Sequence, residues 1–246
     1  MPIVFLSPST QDWNPYVTGS GSEEYWMNRI VDAMEPYLRS NGIRYRRNDP
    51  DTSAGAAIRE ANSGYYDFYL ALHSNAIGNG SAQTSARGII AFYYPGSAGG
   101  QRGALIAKKL REIYPLPDKV TTRPTTALGE VSRSRFPAVL VEIGYHDNYS
   151  DALWLESHVE DVARQLVKAL TEYFGLPFIP PMDPKRGTVR LSYGTLNLRS
   201  TPSPAGTVIA NLPNGAEVTV YGEWNGWYVV QYGDQVGYAA AAYIDV

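Results

Sequence analysis

Four short runs in this chain are apolar at nearly every position rather than at every second one: IVFLS at 3–7, FYLALH at 68–73, RGIIAFYY at 87–94 and AVLVEIGY at 138–145. A strand reads this way when both of its faces are buried, which requires helices on both sides of its sheet. The segments between the runs supply those helices. SEEYWMNRIVDAMEPYLRSNG repeats Trp26, Ile30, Ala33, Tyr37 and Leu38 at helical spacing, with Ser22 to cap its start, Gly42 to end it and Pro36 to kink its last turn. Further helices are expected around 54–64 and 100–115, with one long final helix over 150–175 and a short strand around 43–48. Strands and helices that alternate in this way predict an α/β fold, a mostly parallel sheet with helices on both faces.

The pattern changes at PFIPPMDPKRG, residues 177–187, where four prolines stand in a stretch without periodicity and read as a stiffened linker. Beyond it come short runs with period-two alternation, punctuated by SPAG, PNG, WNG and YGD turn signals. The expected organisation is an α/β domain over 1–178, a linker over 179–186 and a small all-β barrel over 187–246. The barrel segment carries Arg190 and Arg199 against Glu217, Glu223, Asp234 and Asp245, is rich in Trp and Tyr, and has no histidine. That composition suits binding better than catalysis.

Composition narrows the chemistry. A net charge of -3 gives no electrostatic reason to expect nucleic acid. No apolar run reaches the roughly 18 residues that a membrane span requires, and the first residues lack the basic and apolar regions of a secretory signal. With no cysteine, a metal would be held by His, carboxylate, amide or water. The GSGSE segment after the first run lacks the lysine of a P-loop and the spacing of a dinucleotide fingerprint.

Of the three histidines, His73 ends the second apolar run, where sites in parallel sheets lie. His158 is expected mid-helix among polar residues, on a solvated face. Glu142 interrupts VLVEIG, where a buried carboxylate needs a partner or a purpose. An arginine such as Arg133 or Arg135 is the structural alternative. Glu24, or its neighbour Glu23, lies in the first turn of the first helix, where the macrodipole alone favours it.

In order, IVFLSPS, GSEEYWMN, FYLALHSNA and PAVLVEIGYHDN resemble the zinc-dependent N-acetylmuramoyl-L-alanine amidases of the amidase 3 family, found in cell-wall hydrolases and phage endolysins, over residues 2–175. LNLRSTPS and WNGWYVVQYGDQVGYAAAAYI resemble a bacterial SH3 domain, which implies binding to cell-wall peptide or bridge. The resemblance implies Glu24, four residues before Asn28, and His73 as zinc ligands, and Glu142 as the catalytic acid and base. The substrate it implies is the amide between N-acetylmuramic acid and L-alanine in bacterial peptidoglycan. The family's first ligand, a histidine after strand one, is missing from LSPSTQDWNPY. His146 is one replacement, Gln11 a second, and water a third. Ser74, Asn75 and Arg133 are candidates to face substrate. We expect a monomer that meets peptidoglycan and neither nucleic acid nor membrane, and that stays in the cytoplasm until lysis releases it. A wall-binding protein with a weakened site, and a zinc peptidase of the stem peptide, are the alternatives.

Overall fold

The computed structural model describes residues 1–77 and 83–246. Among them no helix is long and apolar enough to cross a membrane. Contacts divide the chain into two compact units, one of Ile3–Met34 and Tyr45–Tyr173, the other of Met1–Pro2, Glu35–Arg44 and Phe174–Val246.

The first unit is built on a six-stranded sheet. Its strands are β1 (Ile3–Pro8), β2 (Arg44–Arg47), β3 (Phe68–Asn75), β4 (Ile89–Tyr93), β5 (Val120–Pro124) and β6 (Ala138–Tyr145), in the order β2-β1-β3-β6-β4-β5. The pairs β1·β3, β3·β6 and β4·β5 are parallel, while β4 runs antiparallel to β6. The helices are α1 (Glu23–Ser40), α2 (Ala54–Ser63), α3 (Gly99–Arg111), α4 (Gly129–Ser132), α5 (Tyr149–Ser157) and α6 (Val159–Phe174). The mostly parallel α/β sheet is as the apolar runs predict. β5 and α4 were not expected, because Val120–Pro124 is exposed except at Val120 and the four residues of α4 are too few to show a period.

Two helix details differ from the sequence reading. The final helix is broken. The Nδ1 of His158 bonds to the Trp154 carbonyl (2.7 Å) and its ring stacks on the Trp154 indole, so His158 caps α5 rather than lying on a solvated helix face. In α1 the buried stripe is Met27, Ile30, Val31, Met34, Tyr37 and Leu38, whereas Trp26 and Ala33 lie at its margin.

One face of the sheet matters most. Strand register aligns Phe5 with Tyr69, Ser7 with Ala71, Leu140 with Ala71 and Glu142 with His73. With a side-chain period of two, Ser7, Tyr69, His73 and Glu142 share that face. Its floor is apolar: Phe5, Ala71, Ala138 and Leu140 pack against Ala57 and Ala61 of α2 and Val131 of α4. The polar residues therefore gather at the carboxyl ends of β1, β3 and β6.

The second unit holds a seven-stranded antiparallel sheet in the order β13-β7-β10-β11-β12-β8-β9. Its strands are β7 (Lys185–Val189), β8 (Thr195–Arg199), β9 (Val208–Pro213), β10 (Glu217–Trp224), β11 (Trp227–Tyr232), β12 (Gln235–Ala240) and β13 (Ile244–Asp245). Val189, Leu198, Leu212, Val220 and Val230 centre its core. This unit also takes in the proline-rich stretch of residues 177–187. Ile179 is buried, and Asn41 brackets its backbone, donating from Nδ2 to the Ile179 carbonyl (2.9 Å) and accepting at Oδ1 from the Ile179 N–H (2.6 Å). The Tyr238 hydroxyl donates to the Asn41 carbonyl (3.0 Å).

Candidate active site

His73 lies between two buried carboxylates. Its Nδ1 is 2.8 Å from Glu23 Oε1, and its Nε2 is 2.8 Å from Glu130 Oε2. Burial opposes a charge on the ring, but the Glu130 and Glu23 carboxylates outweigh it and raise the His73 pKa well above the usual histidine range. In return His73 helps hold both glutamates below the ordinary carboxylate range, against the desolvation that would raise them.

Each carboxylate has further support. Asn14 donates from Nδ2 to Glu23 Oε2 (2.9 Å). Gln11 lies beside the same edge of the ring, its side-chain amide 3.3 Å from Glu23 Oε1 and 3.5 Å from His73 Nδ1. At the other edge, the hydroxyls of Ser7 and Tyr69 donate to Glu130 Oε1 (2.6 and 2.9 Å).

Glu142 is the in-register neighbour of His73 on β6. Its Oε2 is buried without a hydrogen-bond partner, and burial lifts its pKa to about 7. Neither candidate arginine neutralises it. Arg133 is exposed, with its backbone carbonyl accepting from Asn62, and the guanidinium of Arg135 donates to the Asn62 carbonyl. Arg133, expected to face substrate, lies at the carboxyl end of α4, where its backbone carbonyl accepts from Asn62 and its side chain is exposed.

The metal set implied by the resemblance does not assemble as expected. Glu24 turns away from His73 and accepts at Oε1 from its own i+4 neighbour Asn28 (3.0 Å), while Glu23 faces the ring. The phase of α1 explains this. Residue 23 lies four and seven positions before Met27 and Ile30, on the buried stripe, and residue 24 is one step round the helix.

His146 is also elsewhere. Its Nδ1 contacts the hydroxyl (3.1 Å) and carbonyl (3.0 Å) oxygens of Ser74, and its ring stacks on Tyr16. Glu142 and His146 are four residues apart and would share a face of a regular strand. However, the register shifts where Asn75 pairs with Tyr145, an extra residue on β6 beside Gly144, whose φ is +75°. A one-residue bulge inverts the alternation, so His146 falls with Ser74 rather than with His73. Asn75 spends its side-chain oxygen on the Ala76 N–H (2.8 Å).

Among the described residues no three His, Asp or Glu side chains form a group able to hold a metal. The donors that do gather at the Nδ1 edge are one imidazole, the Glu23 carboxylate and the Gln11 amide, with the unpartnered Glu142 oxygen on the adjacent strand. Gln11 turns its Nε2 toward that edge, and its Oε1 accepts from Asn14 Nδ2 (3.1 Å), so the amide oxygen faces the edge only when the amide is turned over. With the amide so turned, the set offers zinc two strong donors and one weak one.

The family model for N-acetylmuramoyl-L-alanine amidase matches residues 10–172, and that for the bacterial SH3 domain matches residues 194–245. The chain belongs to the N-acetylmuramoyl-L-alanine amidase family and carries a bacterial SH3 domain behind the amidase region. Among solved structures it is similar to the N-acetylmuramoyl-L-alanine amidase AmiC2 of Nostoc punctiforme, with 16% identity, a TM-score of 0.62, and coverage of 71% of this chain and 97% of that one. It is also similar to the N-acetylmuramoyl-L-alanine amidase from Clostridium difficile 630 (18%, 0.61, 71% and 97%) and to the catalytic domain of the CD27L endolysin targeting that species (20%, 0.53, 70% and 97%). No curated protein matches the chain.

Proposed function

We propose that this protein hydrolyses the amide between N-acetylmuramic acid and L-alanine in peptidoglycan, with Glu142 as the group that moves protons and zinc held by His73, Glu23 and Gln11. The observation that carries the reading is the pairing of His73 and Glu142 on one sheet face, with a buried Glu142 oxygen that no protein group satisfies. Zinc, when bound, polarises the scissile carbonyl and acidifies water. Glu142, with its pKa near 7, is matched to accept a proton from the attacking water and return it to the departing alanine amine at neutral pH. Glu23 is fixed by Asn14, so it keeps its place as substrate enters. In this reading Ser74, which lies on the opposite side of β3 and is joined to His146, supports the β3–β6 junction.

The barrel contributes wall binding. A groove of about 480 Å³ lies among Tyr193, Trp227, Tyr243, Arg190 and Arg199, and Tyr193 is 90% exposed. Flat aromatic faces beside guanidinium groups suit a peptide that bears carboxylates.

Digestion of purified peptidoglycan tests the activity. An amidase releases new L-alanine amino termini without new reducing sugar ends. Release of reducing ends, or amino termini from within the stem peptide only, would replace this reading with a glycosidase or a peptidase. Zinc content near one per chain in protein purified without chelator supports the metal assignment. Wall binding without zinc and without product would leave the chain a binding protein.

A further inference from the structure

Glu130 is the residue that neither the apolar runs nor the motif segments single out, yet it is among the most completely bonded carboxylates in the first unit. Its side chain is 5% exposed. It reaches the site from α4, and three partners from two strands hold it: Ser7 on β1, with Tyr69 and His73 on β3. The two hydroxyls both donate to Oε1, which leaves Oε2 aimed at His73 Nε2. A buried carboxylate is costly. Packing alone would be served as well by an apolar side chain, since α4 already contributes Val131 to the apolar floor.

We propose that Glu130 is a positioning residue. It anchors the Nε2 edge of His73 and thereby presents the Nδ1 edge to Glu23 and Gln11. This rests on the reading of that edge as the metal-holding one. The physical logic is that an imidazole ligand is fixed in tautomer and ring angle by the acceptor on its other nitrogen, and loss of such an acceptor weakens metal affinity about 10–100-fold. Ser7 and Tyr69 then act one step further out, setting the carboxylate plane of Glu130. The arrangement also explains why Tyr69 is a tyrosine in a stretch of β3, residues 68–72, otherwise filled by Phe, Leu and Ala: its hydroxyl has a partner at the end of a buried ring.

The test has two arms on the full-length chain. In the first, the histidine ring nitrogens are labelled with nitrogen-15 and the metal-free protein is studied by NMR. Only His73, His146 and His158 contribute, so assignment by single replacement is direct. The parent protein is expected to show a downfield, slowly exchanging Nε2 proton for His73. That resonance should be lost in Glu130→Leu and shifted upfield in Glu130→Gln, whose neutral amide oxygen is a weaker acceptor. If Glu130→Leu does not fold, the upfield shift in Glu130→Gln decides the matter. An unchanged resonance in either folded variant overturns the proposal.

In the second arm, zinc ion alone is titrated against a chelating dye. Glu130→Leu should bind zinc about 10–100-fold more weakly than the parent, and Glu130→Gln should fall between them. Equal affinities in all three overturn the proposal. A parent protein that binds no zinc while the resonance responds as expected would remove the metal assignment and leave the positioning role of Glu130 in place.

Discussion

The two units bury different things. The barrel strands enclose Val189, Leu196, Leu198, Leu212, Val218, Val220, Val230 and Ile244, and no Asp, Glu, His, Lys or Arg from residue 185 onward is buried. The α/β unit buries Glu23, His73, Arg102, Glu130, His146, Asp147 and Asp151. Since an unpaired charge in a core costs several kcal/mol, a domain keeps one where structure or chemistry requires it. Asp151 is the structural case, accepting from Arg87, Tyr114 and the backbone N–H groups of Gly88 and Tyr145. The His73 cluster is the other kind, because next to its satisfied pairs stands Glu142 with an oxygen left open. The barrel instead keeps its polar chemistry on the outside, where Tyr193 and the arginines flank a groove.

The sharpest way to break this contrast is Glu142→Gln. If the open oxygen serves proton transfer, release of L-alanine amino termini should fall by about 10²–10⁴-fold, with wall pelleting unchanged. A variant that retains a tenth or more of parental turnover would place the base elsewhere. The matching change in the barrel is Leu198→Ala, at a fully buried core position. It should cost roughly 2–5 kcal/mol of stability by chemical denaturation. If the loss were below about 1 kcal/mol, the barrel core would be looser than its burial indicates.

A third prediction reads the same Glu142 as a stability cost. Its pKa rises on folding from 4.5 to about 7, so between these values the folded protein binds more protons than the unfolded chain. Stability from this group is therefore greatest below pH 4.5 and declines as pH climbs through 7, by on the order of 3 kcal/mol in total. Glu142→Gln removes the ionisation. In metal-free protein the variant should gain little over the parent at pH 4.5 and roughly 2–3 kcal/mol at pH 8, measured as the difference in unfolding free energy. A difference that does not grow with pH would mean that Glu142 is solvated in the folded state.

Much of this was legible before any coordinates. Runs apolar on both faces specified a helix-covered, mostly parallel sheet, and placed His73 and Glu142 at strand ends. Other parts were legible but needed a finer physical reading. Of Trp26, Ile30, Ala33, Tyr37 and Leu38, the residues read as the stripe of α1, Ile30, Tyr37 and Leu38 are buried, whereas Met27, Val31 and Met34 complete the stripe in place of Trp26 and Ala33 and carry Glu23 with them. Gly144 was the sign that β6 would not keep its alternation, and hence that His146 would part from Glu142. Glu130 was out of reach. It stands in a four-residue helix with no period, and its meaning lies in Ser7, 123 positions away, and Tyr69, 61 away.

The smallest predicted effect tests the helix phase directly. Glu24 accepts from Asn28 within its own helix and sits in a first turn, where a carboxylate is worth about 0.3–1 kcal/mol. Glu24→Gln keeps the acceptor for Asn28 and loses only the charge. It should lower stability by no more than about 1 kcal/mol, leave zinc content intact and hold turnover within about two-fold. Glu23→Gln is the control. It removes the charge facing His73 and should lower zinc content in protein exposed to mild chelation. The reverse pattern, with Glu24→Gln losing metal and Glu23→Gln retaining it, would mean that α1 is rotated by about 100° in solution, and the assignment of the Nδ1 edge of His73 would fall with it.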